Sequence, residues 1–300
     1  MLFIAKKELW DAIMEHFSIR PFKDEDIDFA YKLDVMEQWD DTRNDIKRVF
    51  DYEPNGCFIA EINGKPVGHV FSISYGRLGW TGLLIVKAEY RRRGIGTLLT
   101  KTAMNYLLSC KVETIKLEAV SAIADLYRKL GFVDEYDSLR FTGASEEITS
   151  LLNCSLNPLK REGITQLAEF DAEYFGANRT KVLHRLYQDN PQLCFVSRIG
   201  SRIAGYIMFR KTKSGYRIGP WVCNPENPQV ARGLLMECME TIGHNVKLSV
   251  GVPAMNKAAA KILQDLDFRQ YSKSIRMHFG EKLETERVDG VFAIGGPEKG

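Results

Sequence analysis

The sequence predicts a mixed α/β protein in which one module occurs twice. Its 300 residues suit about two domains. The segments 58–71 (FIAEINGKPVGHVF) and 195–208 (FVSRIGSRIAGYIM) align without a gap. Two further matches follow in the same order and at nearly the same separation, GTLL with RGLL and LYRKLGF with ILQDLDF. A repeat of this kind indicates two copies of one folding unit.

Each copy has the pattern of a helical start, a hairpin, a strand, a loop, a helix, a strand, a helix and a final strand. Asn63-Gly64 between two β-rich runs is a strong hairpin signal. Apolar residues recur at helical spacing from Ile95 to Cys110, and 114–120 (TIKLEAV) alternates like a strand. We therefore expect, in each copy, a central mixed and mostly antiparallel sheet flanked by helices.

The predicted boundaries follow from the repeat. Residues 1–17 form a helical extension, 18–150 a first module and 151–300 a second module, joined near 153–163 (NCSLNPLKREG). The extension is amphipathic and is interrupted by Lys6, Lys7 and Glu8, so it resembles neither a signal peptide nor a membrane span.

Composition excludes several classes of function. Lys plus Arg is 41 and Asp plus Glu is 39, so a formal net charge of +2 opposes a nucleic-acid-binding surface, and Arg91–Arg93 alone are too few to form one. The six cysteines are scattered without a CxxC pair, which favours reduced thiols and a cytoplasmic protein. HExxH, GxSxG and P-loop patterns are absent, so we expect no metal cofactor and no serine-hydrolase or Walker-type chemistry.

The loop after the run LLIV combines positive charge with glycine. Arg91, Arg92 and Arg93 are followed by Gly94 and Gly96, and then by a helix. The first N–H groups of a helix attract anions, and glycines let a phosphate approach the main chain. The loop therefore predicts a site for a diphosphate linked to a longer molecule, with a solvated turn as the alternative.

These residues also resemble a known family. Arg91-x-x-Gly94-x-Gly96 after LLIV resembles the acetyl-CoA loop of the GNAT acetyltransferases, and LYRKLGF resembles their closing helix and strand. The resemblance is strongest over 18–142. The whole chain is similar to the tandem two-GNAT arrangement of YitH-like acetyltransferases.

The resemblance implies a role for each position. The main chain of Ile85 and Val86 would bind the pantetheine arm, which requires a β-bulge or a splay between strands. Tyr127 would protonate the departing thiolate, and a strand amide such as that of Val86 would stabilise the oxyanion. The pyrophosphate of acetyl-CoA, the expected co-substrate, would be held by the loop residues Arg91, Arg92, Arg93, Gly94, Ile95, Gly96 and Thr97.

The implied activity is direct transfer of an acetyl group to a primary amine of an unknown small-molecule or peptide acceptor. The strand LGWTGLLIV lacks the glutamate that many family members use as a base. Glu118, Glu61 and His69 are weak substitutes, and an amine that is already neutral needs no strong base. A noncatalytic acyl-CoA-binding regulatory protein is the alternative function.

The second copy lacks the loop motif. Val230, Arg232 and Leu263 stand where the repeat places Gly94, Gly96 and Tyr127, and Pro225 and Pro228 cannot donate hydrogen bonds. We expect this copy to have lost CoA binding and to shape the acceptor site or a homodimer surface. Candidate acceptor residues are Trp39, Trp80, Asp171 and Arg179, with simple packing or an ion pair within the module as the alternative.

Overall fold

The computed structural model describes residues 16–145, 156–283 and 285–300. The strands of the first module are β1 (Phe17–Pro21), β2 (Phe58–Ile62), β3 (Lys65–Tyr75), β4 (Leu78–Val86), β5 (Thr114–Val120) and β6 (Val133–Ala144). Its helices are α1 (Ile27–Met36), α2 (Arg43–Tyr52), α3 (Ile95–Ser109) and α4 (Ala124–Lys129).

The second module repeats this order. Its strands are β7 (Leu156–Pro158), β8 (Cys194–Ile199), β9 (Arg202–Lys211), β10 (Tyr216–Cys223), β11 (Lys247–Pro253), β12 (Arg269–Gly280) and the additional β13 (Val291–Ala293). Its helices are α5 (Ile164–Phe175), α6 (Thr180–Asp189), α7 (Pro228–Ile242) and α8 (Lys257–Gln264).

All described strands belong to one sheet. Their order is β1-β2-β3-β4-β5-β12-β6-β11-β10-β9-β8-β7, and β13 pairs with β10. The final strand of each module is exchanged, because β12 lies between β5 and β6 while β6 lies between β12 and β11. This exchange pairs the inner strands on both sides and leaves no free edge between the modules.

The predicted fold class, a mixed sheet flanked by helices, is confirmed. The hairpin at Asn63-Gly64 is also confirmed, since both residues have positive φ (52° and 68°) between β2 and β3, as a tight primed turn requires. A two-residue turn also joins β8 to β9, but there Gly200 has positive φ (61°) and Ser201 does not.

A shared apolar core fixes the two modules together. One cluster of buried side chains contains Ile46 and Phe71 from the first module and Leu183 and Tyr206 from the second. Because these side chains lose water together, the relative position of the modules is set by the hydrophobic core. A site between them can therefore be built to a fixed geometry.

Parts of the predicted boundaries lie outside the described residues. Residues 1–15 of the predicted helical extension and the boundary at 150–151 are among these, while Phe17 already begins β1. The predicted junction at 153–163 contains β7 and a short 3-10 turn at Arg161–Gly163. Across the described residues, helices that combine the length and apolarity of a membrane span are absent.

Candidate active site

Strands β4 and β5 separate part of the way along their length. They pair in parallel only from Leu78 to Trp80 on β4 and from Thr114 to Lys116 on β5. Both strands continue beyond this point, β4 to Val86 and β5 to Val120. The predicted splay is thereby confirmed, and the inner edge of β4 is available to a ligand.

A β-bulge accompanies the splay. On β3 and β4, His69 pairs with Ile85 and Phe71 pairs with Gly82, so Leu83 and Leu84 together oppose a single residue. Leu83 has a φ of 48°, which is rare for a residue with a side chain. The predicted bulge is confirmed. It lies at Leu83 and Leu84, just before Ile85 and Val86, the two residues expected to bind the pantetheine arm.

The main chain of Val86 faces the splay. The N–H of Lys87 donates to the carbonyl of Val67 (2.8 Å), which makes Val86 and Gly68 a non-hydrogen-bonded pair. The Val86 N–H and C=O therefore point away from β3, and the Val86 carbonyl accepts a bond from Arg91 Nε at 2.8 Å. Ile85, one residue earlier, turns its own main-chain groups toward β3. Of the two residues predicted to bind the pantetheine arm, Val86 is therefore the one whose main chain is available.

Helix α3 begins at the end of the splay. Gly94 precedes it with a φ of 82°, and a Cβ there would meet no described atom within 4 Å. The first bond of the helix runs from the Leu98 N–H to the Gly94 carbonyl (3.0 Å). The N–H groups of Ile95, Gly96 and Thr97 precede this bond and are the ones that an anion can use.

The three arginines differ in their surroundings. The guanidinium of Arg91 contacts the carboxylate of Glu37 as well as the Val86 carbonyl. Arg92 is exposed and has a φ of 61°. The guanidinium of Arg93 lies 5.8 Å from the ring centre of Tyr90. Arg91 thus ties the loop to the strand, while Arg92 and Arg93 stand at its outer surface.

Tyr127 lies on α4 with its side chain against the splay. It is 6% exposed, and it packs edge-to-face on Phe132 with ring centres 5.9 Å apart. Burial raises the pKa of the Tyr127 hydroxyl well above its usual value, because the phenolate would lose its hydration. The side chain is therefore held as a neutral phenol that can donate a proton.

A cavity of about 520 Å³ joins the splay to the second module. Leu84, Leu117 and Tyr127 line it from the first module. Arg217 and Ser249 line it from β10 and β11 of the second module. This volume is within the range of small-molecule sites, and the second module shapes this cavity at the splay.

The two predicted tryptophans have different positions. Trp39 is among the residues that line the cavity. Trp80 is fully buried, its Nε1 donates to the Pro297 carbonyl (2.9 Å), and the Arg276 guanidinium lies 4.5 Å from its ring centre. Trp80 therefore packs in the interior and does not wall the acceptor pocket.

The predicted pair Asp171 and Arg179 is likewise internal. Both residues are almost fully buried, and the Arg179 guanidinium donates two bonds to the Asp171 carboxylate (2.7 and 2.8 Å). Arg179 also donates to the main-chain oxygen of Gly300 (2.7 Å). Asp171 and Arg179 therefore form the ion pair within the module that was the alternative to a role at the acceptor site. A buried guanidinium needs such a counter-charge.

The weak base candidates are all engaged or remote. Glu118 lines the cavity but accepts bonds from Arg140, Ser274 and Arg276. Burial alone would raise its pKa, but Arg276 and Arg140 outweigh burial and lower it. His69 is fully buried, which lowers its pKa to about 4, and Glu61 pairs with Arg20 on the outer strands.

Sequence reasoning missed the segment 294–298 at the cavity. Ile294, Gly296, Pro297 and Glu298 line it, although they lie more than 200 residues after β4. The apolar run 291–294 (VFAI) followed by Gly-Gly-Pro was the available signal for a strand that ends in a turn. It brings one acidic residue, Glu298, to the cavity wall.

The corresponding splay of the second module is filled. β10 pairs with β11 only from Tyr216 to Ile218, and beyond that point β13 pairs with Trp221 and Val222 of β10. The Ile294 N–H then donates to the Gly251 carbonyl of β11 (3.0 Å). The chain itself occupies the position that is open in the first module.

The second loop also differs from its predicted description. Residues 224–227 alone join β10 to α7, whereas 87–94 join β4 to α3. Asn227 precedes α7, Pro228 is its first residue, and Val230 is buried inside its first turn. Val230 is therefore not the counterpart of Gly94. Pro228 has no N–H to donate, and the Val230 N–H donates to the Asn227 carbonyl (3.0 Å).

No group of three or more His, Cys, Asp or Glu side chains suited to a metal ion occurs in residues 16–145, 156–283 and 285–300. The N-terminus of α3, an outward strand amide and a neutral phenol lie along one open splay.

Comparison with known proteins agrees with this geometry. A family described as "Acetyltransferase (GNAT) family" matches residues 10–132, and one described as "Acetyltransferase (GNAT) domain" matches residues 167–293. The holothin acyltransferase of a Pseudoalteromonas species is 22% identical over 285 residues, which cover 94% of this chain and 95% of the relative. An acetyltransferase of Pectobacterium atrosepticum is 30% identical over 121 residues, which cover 38% of this chain and 86% of the relative.

Solved structures show the same architecture. A putative acetyltransferase from Pyrococcus horikoshii superposes with a TM-score of 0.81 at 26% identity and covers 95% of this chain and 96% of its own. A tandem GNAT protein from the clavulanic acid biosynthesis pathway superposes with a TM-score of 0.64 at 13% identity, covering 88% of this chain and 98% of its own. The second likeness concerns the fold alone.

Proposed function

This chain belongs to the GNAT superfamily of acyltransferases, and we propose that its first module moves an acetyl group from acetyl-CoA to a primary amine. The observation that carries the proposal is the open splay between β4 and β5, which ends at the glycine-preceded start of α3. A strand edge that is free on one side suits an extended pantetheine arm. A helix end with free amides suits its pyrophosphate.

The proposed binding residues follow from this arrangement. The Val86 main chain would bond the pantetheine arm, and the amides of Ile95, Gly96 and Thr97 would hold the pyrophosphate. Gly94 leaves room for the phosphates, since its missing side chain would point into open space. Arg92 and Arg93 add positive charge that strengthens the attraction at low salt.

The proposed reaction is a direct transfer. The amine nitrogen attacks the thioester carbonyl, the C–N bond forms, and the C–S bond breaks with the electron pair leaving on sulfur. Tyr127 donates its phenolic proton to that sulfur, and its raised pKa keeps the proton in place until then. Main-chain N–H groups at the bulge, Leu84 or Val86, would stabilise the carbonyl oxygen.

The proton balance does not require a strand carboxylate. The amine must lose one proton before it attacks and one after the C–N bond forms. Water in the cavity can accept both the proton that an ammonium group loses before the attack and the proton that is released after the C–N bond forms. We also propose a reducing, cytoplasmic setting, which the free thiols of Cys57, Cys110, Cys194, Cys223 and Cys238 support.

Calorimetric titration with acetyl-CoA tests the proposed site. We expect one site per chain for the wild type and at least a tenfold weaker affinity for Gly94→Val. The valine would be strained at φ 82° and would fill the space for the phosphates. Gly76→Val is the matched control, because Gly76 has a φ of 83° and equally open surroundings in the β3–β4 turn.

The outcomes are distinct. Equal loss in Gly94→Val and Gly76→Val would assign the effect to backbone strain rather than to the site. A wild type that binds neither acetyl-CoA nor CoA would refute the cofactor assignment. Release of free thiol with a panel of primary amines then measures the proposed transfer directly.

A further inference from the structure

The segment that follows β13 forms one wall of the cavity and is firmly anchored. Trp80 Nε1 donates to the Pro297 carbonyl (2.9 Å), and the Tyr75 hydroxyl donates to the Lys299 carbonyl (3.0 Å). Arg179 Nη1 donates to the main-chain oxygen of Gly300 (2.7 Å). These bonds join residues that are far apart in sequence, so the position of Glu298 is set by the folded molecule.

Two glycines make room for Glu298. A Cβ on Gly82 of β4 would lie 2.7 Å from the Cα of Glu298. A Cβ on Gly296 would lie 2.4 Å from Glu298 Oε2. Side chains at either position would push the glutamate away, because real Cβ atoms do not approach other atoms so closely. Gly82 therefore makes room for the main chain of Glu298, and Gly296 makes room for its carboxylate.

The two oxygens of Glu298 have unequal surroundings. Oε1 contacts Lys299 Nζ and lies 3.4 Å from Arg210 Nη2. Oε2 is buried and has no hydrogen-bond partner in the described part of the chain, although Glu298 lines the cavity. The whole residue is 3% exposed. A buried carboxylate oxygen without a partner costs free energy unless a ligand completes it.

The other carboxylates of the cavity are already satisfied. Asp41 accepts a bond from Arg217 (2.7 Å), and Asp40 accepts bonds from Thr212 and Ser214. Glu118 accepts bonds from three donors, as described above. Of the carboxylate oxygens that line the cavity in the described residues, Glu298 Oε2 is thus the buried one that lacks a donor.

We propose that Glu298 binds the amino group of the acceptor and so selects a primary ammonium compound. This inference rests on the proposed function, because it assigns the amine-binding group of the same site. Oε2 is the oxygen that is not held by other side chains, and it belongs to a residue on the cavity wall. Trp39 on the cavity wall offers an aromatic surface to the body of such a molecule.

The role is binding and orientation rather than removal of a proton. Burial alone would raise the pKa of Glu298, but Lys299, Arg210 and Arg217 outweigh burial and lower it to about 2. The carboxylate is therefore ionised at all working pH values and holds a proton poorly. Its ionised Oε2, which lacks a donor among the described residues, can accept a hydrogen bond from an ammonium group.

A binding experiment with a simple probe tests the inference. Phenethylammonium, which joins an aromatic ring to a primary ammonium, is titrated into the CoA-bound protein, with phenethyl alcohol as the neutral counterpart. We expect the wild type to prefer the ammonium by at least tenfold. We expect Glu298→Gln to lose this preference and to retain its affinity for acetyl-CoA, which is measured on the same sample.

Lys299→Gln is the matched control. It breaks the same ion pair but leaves the carboxylate, so ammonium binding should stay within threefold of the wild type. If Lys299→Gln loses as much as Glu298→Gln, the effect is structural and the inference is wrong. Glu298→Asp, which keeps the charge on a shorter side chain, should bind at an intermediate level and covers the case in which Glu298→Gln fails to fold.

The remaining outcomes separate the two proposals. A wild type that binds acetyl-CoA but does not prefer the ammonium to the alcohol overturns the role of Glu298 and leaves the proposed function intact. A wild type that does not bind acetyl-CoA overturns the proposed function. Full ammonium preference in Glu298→Gln also contradicts the inference.

Discussion

The open splay of the first module and the filled splay of the second show two uses of one feature. In each module, two parallel strands pair briefly and then separate, β4 from β5 and β10 from β11. The first gap leads to a cavity with Tyr127 on its wall. The second gap is occupied by β13, which completes the pairing of β10. A strand of the same chain takes the place proposed for the pantetheine arm.

This difference shows that the same fold can keep its splay open or fill it with a strand of its own chain. The strand that closes the second splay continues directly into the segment 294–298 on the wall of the cavity. The filled splay therefore anchors the segment that carries Glu298. The second module thus holds one wall of the cavity in place.

The largest expected effect concerns a buried aspartate that occurs at the same place in both modules. Asp34 is the eighth residue of α1 and Asp171 the eighth of α5, but only Asp171 has a guanidinium partner, Arg179. Asp171→Asn should lower the free energy of unfolding by about 3–5 kcal/mol, because it leaves the Arg179 charge buried without a counter-charge. Urea unfolding measures this, and a loss below about 1 kcal/mol would contradict the ion-pair account.

The next effect concerns the strand that fills the second splay. Phe292 on β13 is fully buried and packs on Trp221 with ring centres 5.1 Å apart. Phe292→Ala should cost about 3–4 kcal/mol of unfolding free energy through the cavity that it creates. Acetyl-CoA should still bind at one site per chain. The appearance of a second site in calorimetry would show that β13 alone prevents binding there.

Tyr127→Phe addresses the open splay. We expect kcat for acetyl transfer to fall about 100-fold, while the affinity for acetyl-CoA stays unchanged, because only the proton donor is removed. Tyr106→Phe is the control, since the Tyr106 hydroxyl bonds Glu53 (2.5 Å) on the other side of the module. Equal rates for Tyr127→Phe and the wild type would exclude Tyr127 as the acid.

The smallest expected effect concerns Asp34, whose carboxylate oxygens are buried without hydrogen-bond partners in the described residues, with Lys213 Nζ 3.6 Å away. Burial raises its pKa to about 7 from 3.8. The folded protein keeps this proton between pH 4 and 7 while the unfolded chain loses it, so stability falls as pH rises through that range.

Asp34→Asn should therefore raise the free energy of unfolding by about 1–2 kcal/mol at pH 8 and change little at pH 4. Urea unfolding at the two pH values measures the difference. A variant that is less stable than the wild type at pH 8 would show that Asp34 has a stabilising partner. The buried aspartate would then be paired in both modules.

Local features were predictable because local physics produces them. Asn63-Gly64 and Gly94 stand where the backbone needs positive φ, and the sequence places Gly or Asn at each. The alternation in β5 and the helical spacing in α3 follow from which side chains face the core. The bulge beside Val86 was predictable only through the family resemblance. Leu83 has a φ of 48°, but leucine, unlike Gly or Asn, does not predict a positive φ.

The partners of Glu298, Trp80 and Asp171 could not be predicted in this way. Trp80 is an aromatic residue of the kind that can line an amine-binding pocket, but its indole N–H donates a hydrogen bond to the Pro297 carbonyl. Asp171 and Arg179 have the charges of a binding site, but their groups satisfy each other in the interior. Charge and aromaticity identify what a side chain can do, whereas burial decides whether a ligand or the protein uses it.

By itself the sequence determined the repeat, the α/β class, the hairpins and the loop at Gly94, because each depends on residues close together in the chain. Tertiary structure alone decided the exchange of β6 and β12, the filling of the second splay by β13 and the arrival of Glu298 at the cavity. The physical reason is that the alternation of a strand specifies which face is buried but not which edge it joins. Edges separated by 100 residues or more find each other only when the whole core is packed.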